Sequence, residues 1–532
     1  MSDDGKSDSK QPLEAFGELP STLEADADAD ERYLRAGDPK RLLSRRVPVS
    51  RKIALTGLCL AAFVAAPYLH PALRPLRIVW PEVAAEEELP PEAAAPLPSA
   101  SVGEAKVPGP TMDQQSRAKD LEQGRQDSRG PIAQTTKRDP ELEPPKDDDK
   151  DPPRPIDDPS GTALDAFFAK LAKVERGEEG AIARVVYYGD SIVASDFVTG
   201  KLRRMLQSRF GDAGHGYALV ANAWPGWFHI DVSRSASAEW GVSTCVGPYA
   251  EDGFYGLGCA SFIARNPGVW SKFATATLDQ WGRKVSRFEI EYLAQPEGGA
   301  LELIVDDEPH SKLETEASET KLAWHTVKVP DGPHSLEIRS VDERPVRVFG
   351  IRMERDVPGV TLTSMGVTGA RARFLDKQDD DHWAQALRAA KPDLLVLAFG
   401  SNEITDGTKY PMEDYEKTLV AVMRQIRAAL PDASLMLVGP PDMATKKESL
   451  GHSRPHGYII TMRQKEIAKA EGWAFWDQFH AMGGGGSMWG WIKMGLGSQD
   501  MFHPTGQGGN VLGKWEYYAL MKAFKEHKAR QP

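Results

Sequence analysis

The stretch that most constrains the fold is Val185-Val186-Tyr187-Tyr188-Gly189-Asp190-Ser191. Residues 183–188 form a short run of β-branched and aromatic side chains, which predicts a strand. Gly189 and Asp190 interrupt this run, and residues 197–210 then space their apolar side chains as a helix does. A serine at such a strand-to-helix turn exposes its hydroxyl and points its own N–H into open space. Gly-Asp-Ser alone does not identify a nucleophile, because an ordinary turn with a serine cap has the same residues.

The chain after this turn changes character twice. Residues 232–357 contain short alternating runs bounded by Gly and Pro, which predict the antiparallel strands of a β-sandwich. The five clearest runs are residues 287–293, 300–306, 322–329, 334–340 and 346–354.

After Gly359 the alternation of strand and helix returns. Strands are predicted at residues 393–400, 434–440 and 473–477, and helices at 381–390, 413–430 and 458–471. This order indicates an α/β domain, with a parallel sheet covered by helices, that is interrupted by a β-module.

An apolar stretch at residues 53–73 has no Asp, Glu, Lys or Arg and is long enough to cross a membrane as one helix of about 30 Å. Six basic residues lie at positions 40–52, whereas only Arg74 and Arg77 follow closely. This asymmetry predicts a single-pass anchor with the N-terminus inside and the bulk of the protein outside. A cleaved signal peptide and a buried soluble helix are the alternatives.

Composition indicates how the remaining regions are organised and which partners are excluded. Residues 1–52 are polar and acidic, which predicts a disordered cytoplasmic tail, and residues 74–158 are rich in Pro, Ala and charge, which predicts a linker. The net charge of −12 argues against nucleic acid as a partner, because no large basic surface is available. Cys245 and Cys259 are either bridged in an oxidising compartment or are two buried thiols.

Four further positions could complete a site around Ser191. A serine becomes a nucleophile only with a base in hydrogen-bond reach and a third group that orients the base. Asp500 and His503 are three residues apart, so one loop can hold the carboxylate beside the imidazole. Gly369 and Asn402 lie in predicted loops, the second directly after a strand, where each could donate to a developing oxyanion.

These residues resemble the blocks of the SGNH (GDSL-like) hydrolase superfamily. Gly189-Asp190-Ser191 matches the first block, Gly369 the second, Gly400-Ser401-Asn402 the third and Asp500-x-x-His503 the last. Two positions depart from the pattern: Glu403 stands where many members have Asp, and Ile192 replaces the Leu of the longer signature. A β-module between the first two blocks is similar to the arrangement in peptidoglycan O-acetylesterases and related O-acetyltransferases.

The resemblance implies a flavodoxin-like parallel sheet flanked by helices. Its two parts would be residues 159–231 and 358–532, with a carbohydrate-binding-like β-sandwich inserted at 232–357. It implies Ser191 as nucleophile, His503 as base and Asp500 as the group that orients His503. The oxyanion hole would consist of the N–H groups of Ser191 and Gly369 and the side chain of Asn402, and neither a metal nor an organic cofactor is implied.

The implied substrate is an O-acylated glycan of the cell envelope, reached by a domain anchored in a bacterial cell membrane on its extracytoplasmic side. The same triad serves an esterase that removes O-acetyl groups and a transferase that adds them. A non-catalytic glycan-binding protein is a third, less favoured hypothesis. Trp227, Trp489 and Trp491 are candidate substrate-binding platforms for sugar rings, and packing in a core is the alternative for each.

Overall fold

The computed structural model describes residues 150–224, 227–445 and 454–530. The predicted tail at 1–52, the predicted anchor at 53–73 and most of the predicted linker at 74–158 lie outside the described residues. Within the described part of the chain, no helix is both long enough and apolar enough to span a membrane.

The first described elements alternate between strand and helix. They are β1 (Ile156–Asp157), α1 (Asp165–Glu175), β2 (Ile182–Gly189), α2 (Ser191–Ala194), α3 (Phe197–Phe210) and β3 (Gly216–Leu219). The predicted strand before Ser191 and the predicted helix at 197–210 are both confirmed. Residues 156–157 belong to the stretch assigned to the linker, yet they form β1, so ordered structure begins before residue 159.

Ten strands follow in the region of the predicted insertion. They are β4 (Val232–Ala236), β5 (Gly241–Thr244), β6 (Ala260–Ala264), β7 (Trp270–Thr275), β8 (Val285–Ala294), β9 (Ala300–Val305), β10 (Glu308–Glu314), β11 (Lys321–Gly332), β12 (Ser335–Ser340) and β13 (Val346–Glu354). All five predicted runs form strands, although burial alternates strictly only along β12, and β13 is buried along almost its whole length.

These strands make two antiparallel sheets. One has the order β10-β9-β12-β7-β4, and the other has the order β11-β8-β13-β6-β5 with β3 paired to β13. Phe273 and Leu336 of the first sheet lie in the same buried cluster as Phe288 and Ile351 of the second. Cys245 and Cys259 contribute to this cluster as buried free thiols.

The strand–helix alternation then resumes as predicted. The elements are β14 (Gly359–Gly366), α4 (Asp380–Ala390), β15 (Leu394–Ala398), α5 (Ser401–Asp406), α6 (Met412–Ala429), β16 (Ser434–Val438), α7 (Pro455–Ala470), β17 (Ala474–Trp476), α8 (Gln478–Ala481), α9 (Ser487–Lys493) and α10 (Gly506–Arg530). The sequence predicted the helices α4, α6 and α7 and the strands β15 to β17, but it did not single out β14.

The central sheet has the order β1-β17-β16-β15-β2-β14, and its strands run parallel except for β1. Successive residues of β2 face opposite sides: Val185 and Tyr187 lie in one buried cluster and Val186 and Tyr188 in another. Helices α1, α3 and α10 contribute to the first cluster, and α4, α6 and α7 to the second. The parallel sheet is therefore covered by helices on both faces, as the α/β prediction requires.

Strand register places three loops at one edge of this sheet. Gly189, the last residue of β2, pairs with Gly366 of β14 on one side and with Ala398 of β15 on the other. The loops that follow these strands carry Ser191, Gly369 and Asn402. Because the carboxyl ends of parallel strands meet at one edge, the topology brings three of the four predicted blocks together.

Candidate active site

Ser191 begins helix α2 directly after a tight strand end. Gly189 must lack a side chain there, because a Cβ would lie 2.8 Å from the Ala398 carbonyl oxygen and 2.3 Å from a Val193 methyl group. Asp190 then caps α2, since its Oδ1 accepts a hydrogen bond of 3.0 Å from the N–H of Ile192. The serine is thereby held at the positive end of a short helix, with its hydroxyl free to meet another element.

His503 is that partner. Its Nε2 lies 2.8 Å from Ser191 Oγ, although the two residues are 312 positions apart in sequence. Its Nδ1 lies 2.8 Å from Asp500 Oδ2. Because an ionised carboxylate only accepts, the proton belongs on Nδ1, which leaves Nε2 to accept from the serine hydroxyl. This is the hydrogen-bonded chain of a serine nucleophile, a base and an orienting acid.

Asp500 is held in its charged form. Burial alone would raise its pKa, but hydrogen bonds from the His503 ring and from the N–H groups of His503 and Phe502 outweigh burial and lower the pKa well below its usual range. The two N–H groups lie 3.0 and 2.9 Å from Oδ1 and leave Oδ2 for the ring. The carboxylate therefore stays ionised at neutral pH and stabilises an imidazolium at His503.

The two predicted oxyanion donors lie in adjoining loops. The loop of Gly369 is tied to the end of β2, because the N–H of Val367 donates to the Gly189 carbonyl at 2.8 Å. Gly369 itself has a φ of +78°, a left-handed conformation that favours glycine. Asn402 reaches the same loop, and its Nδ2 donates to the Ala370 carbonyl at 2.8 Å. A second hydrogen on Nδ2 remains for an oxyanion.

Glu403, the departure from the family pattern, also holds the loop that carries Gly369. Its Oε1 accepts a hydrogen bond of 2.8 Å from the N–H of Ala372. The side chain is buried, and burial raises the pKa of Glu403 to about 7, while the nearby Asp190 carboxyl adds to the rise. A Glu at this position therefore bridges α5 to the loop that carries Gly369.

Comparison with known proteins agrees with this geometry. Residues 335–510 match the model of the GDSL-like Lipase/Acylhydrolase family, a match that includes Gly369, Asn402, Asp500 and His503. Residues 335–510 are therefore similar to an SGNH (GDSL-like) acylhydrolase, and with the Ser191–His503–Asp500 contacts they support an enzyme that hydrolyses ester bonds. Ser191 lies before the matched residues, so its place in this hydrolase depends on the contact with His503.

Solved structures resemble this chain to different degrees, and the first of them shares its fold. A peptidoglycan O-acetylesterase is 24% identical, covers 70% of this chain and 99% of its own, and superposes with a TM-score of 0.60. A family two carbohydrate esterase from Cellvibrio japonicus is 12% identical, with coverages of 55% and 98% and a TM-score of 0.23. An acetylxylan esterase from Geobacillus stearothermophilus is 18% identical, with coverages of 31% and 73% and a TM-score of 0.24. No curated protein sequence matches the chain.

The three candidate tryptophans of the hydrolase occupy different environments. Trp491 is 3% exposed, and its Nε1 donates to the Met482 carbonyl at 3.1 Å, so it belongs to a core and offers no ring face to a sugar. Trp489 is half-buried against a cluster that contains Ile192, next to the nucleophile. Trp227 is also buried, but its ring borders a cavity.

A second aspartate–histidine pair has the spacing of the catalytic one. In Asp477-Gln-Phe-His480, Asp477 Oδ2 lies 2.6 Å from His480 Nδ1, and Oδ1 accepts from the His480 N–H at 2.9 Å. Asp477 caps α8 at the end of β17, and the structure places His503, not His480, at Ser191. This pair was not among the residues predicted from the sequence, although the shared Asp-x-Phe-His pattern would have revealed it.

Proposed function

We propose that this hydrolase is a serine esterase that removes O-acetyl groups from a cell-envelope polysaccharide of the peptidoglycan type. The observation that carries the proposal is the hydrogen-bonded chain Ser191–His503–Asp500 at the carboxyl edge of the sheet. The likeness to a peptidoglycan O-acetylesterase over 99% of that protein supports the choice of substrate. Together they favour a small acyl group on a glycan over a lipid ester.

Each step of the reaction has a residue in place. Ser191 Oγ attacks the acetyl carbonyl carbon while His503 Nε2 takes the hydroxyl proton, and Asp500 stabilises the imidazolium. The oxyanion accepts from the N–H groups of Ser191 and Gly369 and from Asn402 Nδ2. His503 then protonates the departing sugar oxygen, which leaves an acetyl–serine ester. A water molecule, deprotonated by His503, attacks that ester and releases acetate and free Ser191.

The location outside the membrane belongs to the same proposal. The apolar residues 53–73 would anchor the chain in a bacterial cell membrane, and the stretch from 74 to the start of β1 would let the catalytic domain reach the wall glycan. The two antiparallel sheets inserted before β14 would form a sandwich that holds the glycan chain. Trp489, beside Ile192, would contact a sugar ring near the ester.

The direct test is release of acetate from purified O-acetylated peptidoglycan by the full chain. We expect release by the wild type and a loss of roughly 10⁴-fold or more in Ser191→Ala, because the nucleophile is gone. Release at a near wild-type rate by Ser191→Ala would refute the assignment of the nucleophile. Hydrolysis of small acetyl esters without release of acetate from the glycan would refute the proposed substrate.

A second measurement separates removal of acetyl groups from their addition. An acetyl–serine could also be attacked by a sugar hydroxyl, which would make the enzyme a transferase. Mass spectrometry of wall fragments from a deletion strain should show more O-acetylation if the protein is an esterase. Less O-acetylation in that strain would favour the transferase.

A further inference from the structure

A cavity of about 520 Å³ lies between the loop after β3 and the edge strands β4 and β5. Its volume is in the range of small-ligand sites, which often occur where two modules meet. Aromatic rings and hydroxyl groups are both present on its walls. The lining residues that matter here are Asn222, Trp227, His229, Arg234, Ser235 and Trp240. We call this cavity the Arg234 pocket.

Arg234 is half-buried and differs in its partners from the fully buried Arg203. The guanidinium carbon of Arg234 lies 4.4 Å from the centre of the Trp227 ring, and its Nη2 donates a hydrogen bond to Asn222 Oδ1. No carboxylate of the described residues lies within ion-pair distance of it, whereas the fully buried Arg203 is paired with Asp196 at 2.8 Å. A cation in a cavity without a counter-ion is costly, and an anionic ligand would offset that cost.

His229 is the other titratable side chain that lines the pocket, and it leaves Arg234 as the charged group there. His229 Nδ1 and His215 Nε2 lie 2.8 Å apart, and burial lowers the pKa of His229 to about 3 and that of His215 well below its usual range. Both rings are therefore neutral at neutral pH. Burial also lowers the pKa of Arg234 to about 10, so this side chain keeps its positive charge.

The wall of the pocket is joined to the helix that carries the nucleophile. The N–H of Phe228 donates to the carbonyl of Ala194, the last residue of α2, at 2.9 Å. The N–H of Ile230 donates to Asp196 Oδ2, also at 2.9 Å. Since α2 has only four residues, the segment that lines the pocket begins about one helical turn from Ser191.

We propose that the Arg234 pocket binds a carboxylate borne by the acetylated glycan, close to the ester that Ser191 attacks. This inference rests on the proposed function for the identity of the glycan. Arg234 binds the carboxylate as a charged, planar donor, while Trp227 fixes the guanidinium by stacking. The carboxylate belongs either to a sugar unit or to a peptide attached to it.

The test compares a charged and a neutral substrate in the full chain. In Arg234→Met, the ratio of kcat/KM for O-acetylated glycan fragments to that for p-nitrophenyl acetate should fall about tenfold or more, mostly through KM. Arg265→Met, which removes an exposed arginine in the loop after β6, should leave this ratio unchanged. An equal loss on both substrates in Arg234→Met, or no change in the ratio, would overturn the proposal.

Binding without turnover separates this proposal from the esterase assignment. Ser191→Ala should bind an O-acetylated glycan fragment about tenfold more tightly than the double variant Ser191→Ala/Arg234→Met. Removing the attached peptide abolishes this difference if the carboxylate is on the peptide, and amidating the sugar carboxylate abolishes it if the carboxylate is on the sugar. If binding depends on Arg234 but the wild type releases no acetate, the result would support the proposed pocket and refute the esterase assignment. Release of acetate with equal binding by the two proteins would overturn the pocket alone.

Discussion

At the scale of single residues, the chain contains two aspartate–histidine pairs with the same local hydrogen bonds. Asp477 and Asp500 each accept the N–H of a histidine three residues later and each contact the Nδ1 of its ring. Both stretches read Asp-x-Phe-His. The second histidine lies at Ser191, so the pair orients an imidazole in both places and supports catalysis at His503.

This difference can be measured with matched substitutions. Asp500→Asn should lower kcat by about 10³–10⁴-fold, because the amide favours the wrong tautomer of His503 and cannot stabilise its imidazolium. Asp477→Asn changes the same local contacts but should leave the kcat on p-nitrophenyl acetate within about twofold, because His480 has no part in the reaction. Similar losses of kcat in both folded variants would contradict the assignment of Asp500.

At the scale of elements, the site depends on a close contact between β14 and α2. A Cβ on Gly366 would lie 1.9 Å from the Ala194 backbone nitrogen and 2.3 Å from its Cα. Gly366 pairs with Gly189, so two residues without side chains let the short helix that begins at Ser191 lie on the sheet end. Residues of β14 are buried along its whole length, which fixes this strand beside β2.

Gly366→Ala should therefore damage stability and activity together. The added methyl group meets backbone atoms that cannot rotate away, so we expect a loss of about 1–3 kcal/mol or more in the free energy of unfolding. A displacement of Ser191 by about 1 Å should also reduce kcat about 10²-fold. Denaturant unfolding and p-nitrophenyl acetate hydrolysis measure the two effects.

Gly241→Ala in β5 is the control for this substitution. Its Cβ would meet no neighbour closer than 3.4 Å, and its φ is not in the left-handed region, so the effect on stability should stay within about 0.5 kcal/mol. Wild-type stability in Gly366→Ala would show that α2 and β14 can separate without cost.

At the scale of the whole molecule, a buried carboxylic acid contacts the central sheet. Glu516 of α10 lies beneath β2, and its Oε2 accepts a hydrogen bond of 3.1 Å from the Tyr187 hydroxyl. Burial raises the pKa of Glu516 from its ordinary 4.5 to about 8. The folded protein therefore holds a neutral acid at neutral pH, and ionising that acid opposes folding.

The sign of the resulting pH dependence follows from linkage. Because the folded pKa of Glu516 is raised, its contribution to stability is fully present below about pH 4.5 and is lost as the pH rises through about 8. In Glu516→Gln this contribution does not titrate. The free energy of unfolding of the variant, relative to that of the wild type, should therefore rise by a few kcal/mol from about pH 5 to about pH 8.5.

Urea unfolding at about pH 5 and about pH 8.5 measures this difference in the free energy of unfolding. Glu526→Gln, an exposed position on the same helix α10, should show the same pH dependence as the wild type. A constant difference between Glu516→Gln and the wild type at both pH values would show that Glu516 does not titrate in this range.

Much of the fold could be predicted because it depends on neighbours in sequence. The helices α4, α6 and α7 and five of the ten strands between Val232 and Glu354 follow from apolar periodicity, which side chains along one element create by themselves. β14 was not singled out, although Val360 and Leu362 alternate with Thr361 and Thr363; its threonines are buried too, and Thr363 Oγ1 accepts a hydrogen bond from the Tyr217 N–H of β3. β1 was assigned to the linker because two residues carry no periodicity, and its strand character comes from pairing with β17.

The sequence by itself determined the order of the four blocks, the Gly-Asp-Ser turn and the alternation that makes an α/β sheet, since each depends on residues near one another in the chain. The resemblance implied His503 as the base, and the tertiary structure shows why the local Asp-x-Phe-His pattern is not enough, since His503 and not His480 is brought to Ser191. The tertiary structure also placed Trp491 in a core, left Arg234 without an acidic partner among the described residues and set Cys245 and Cys259 as buried thiols. These outcomes depend on contacts between distant segments, which strand order and packing fix and which no local pattern contains.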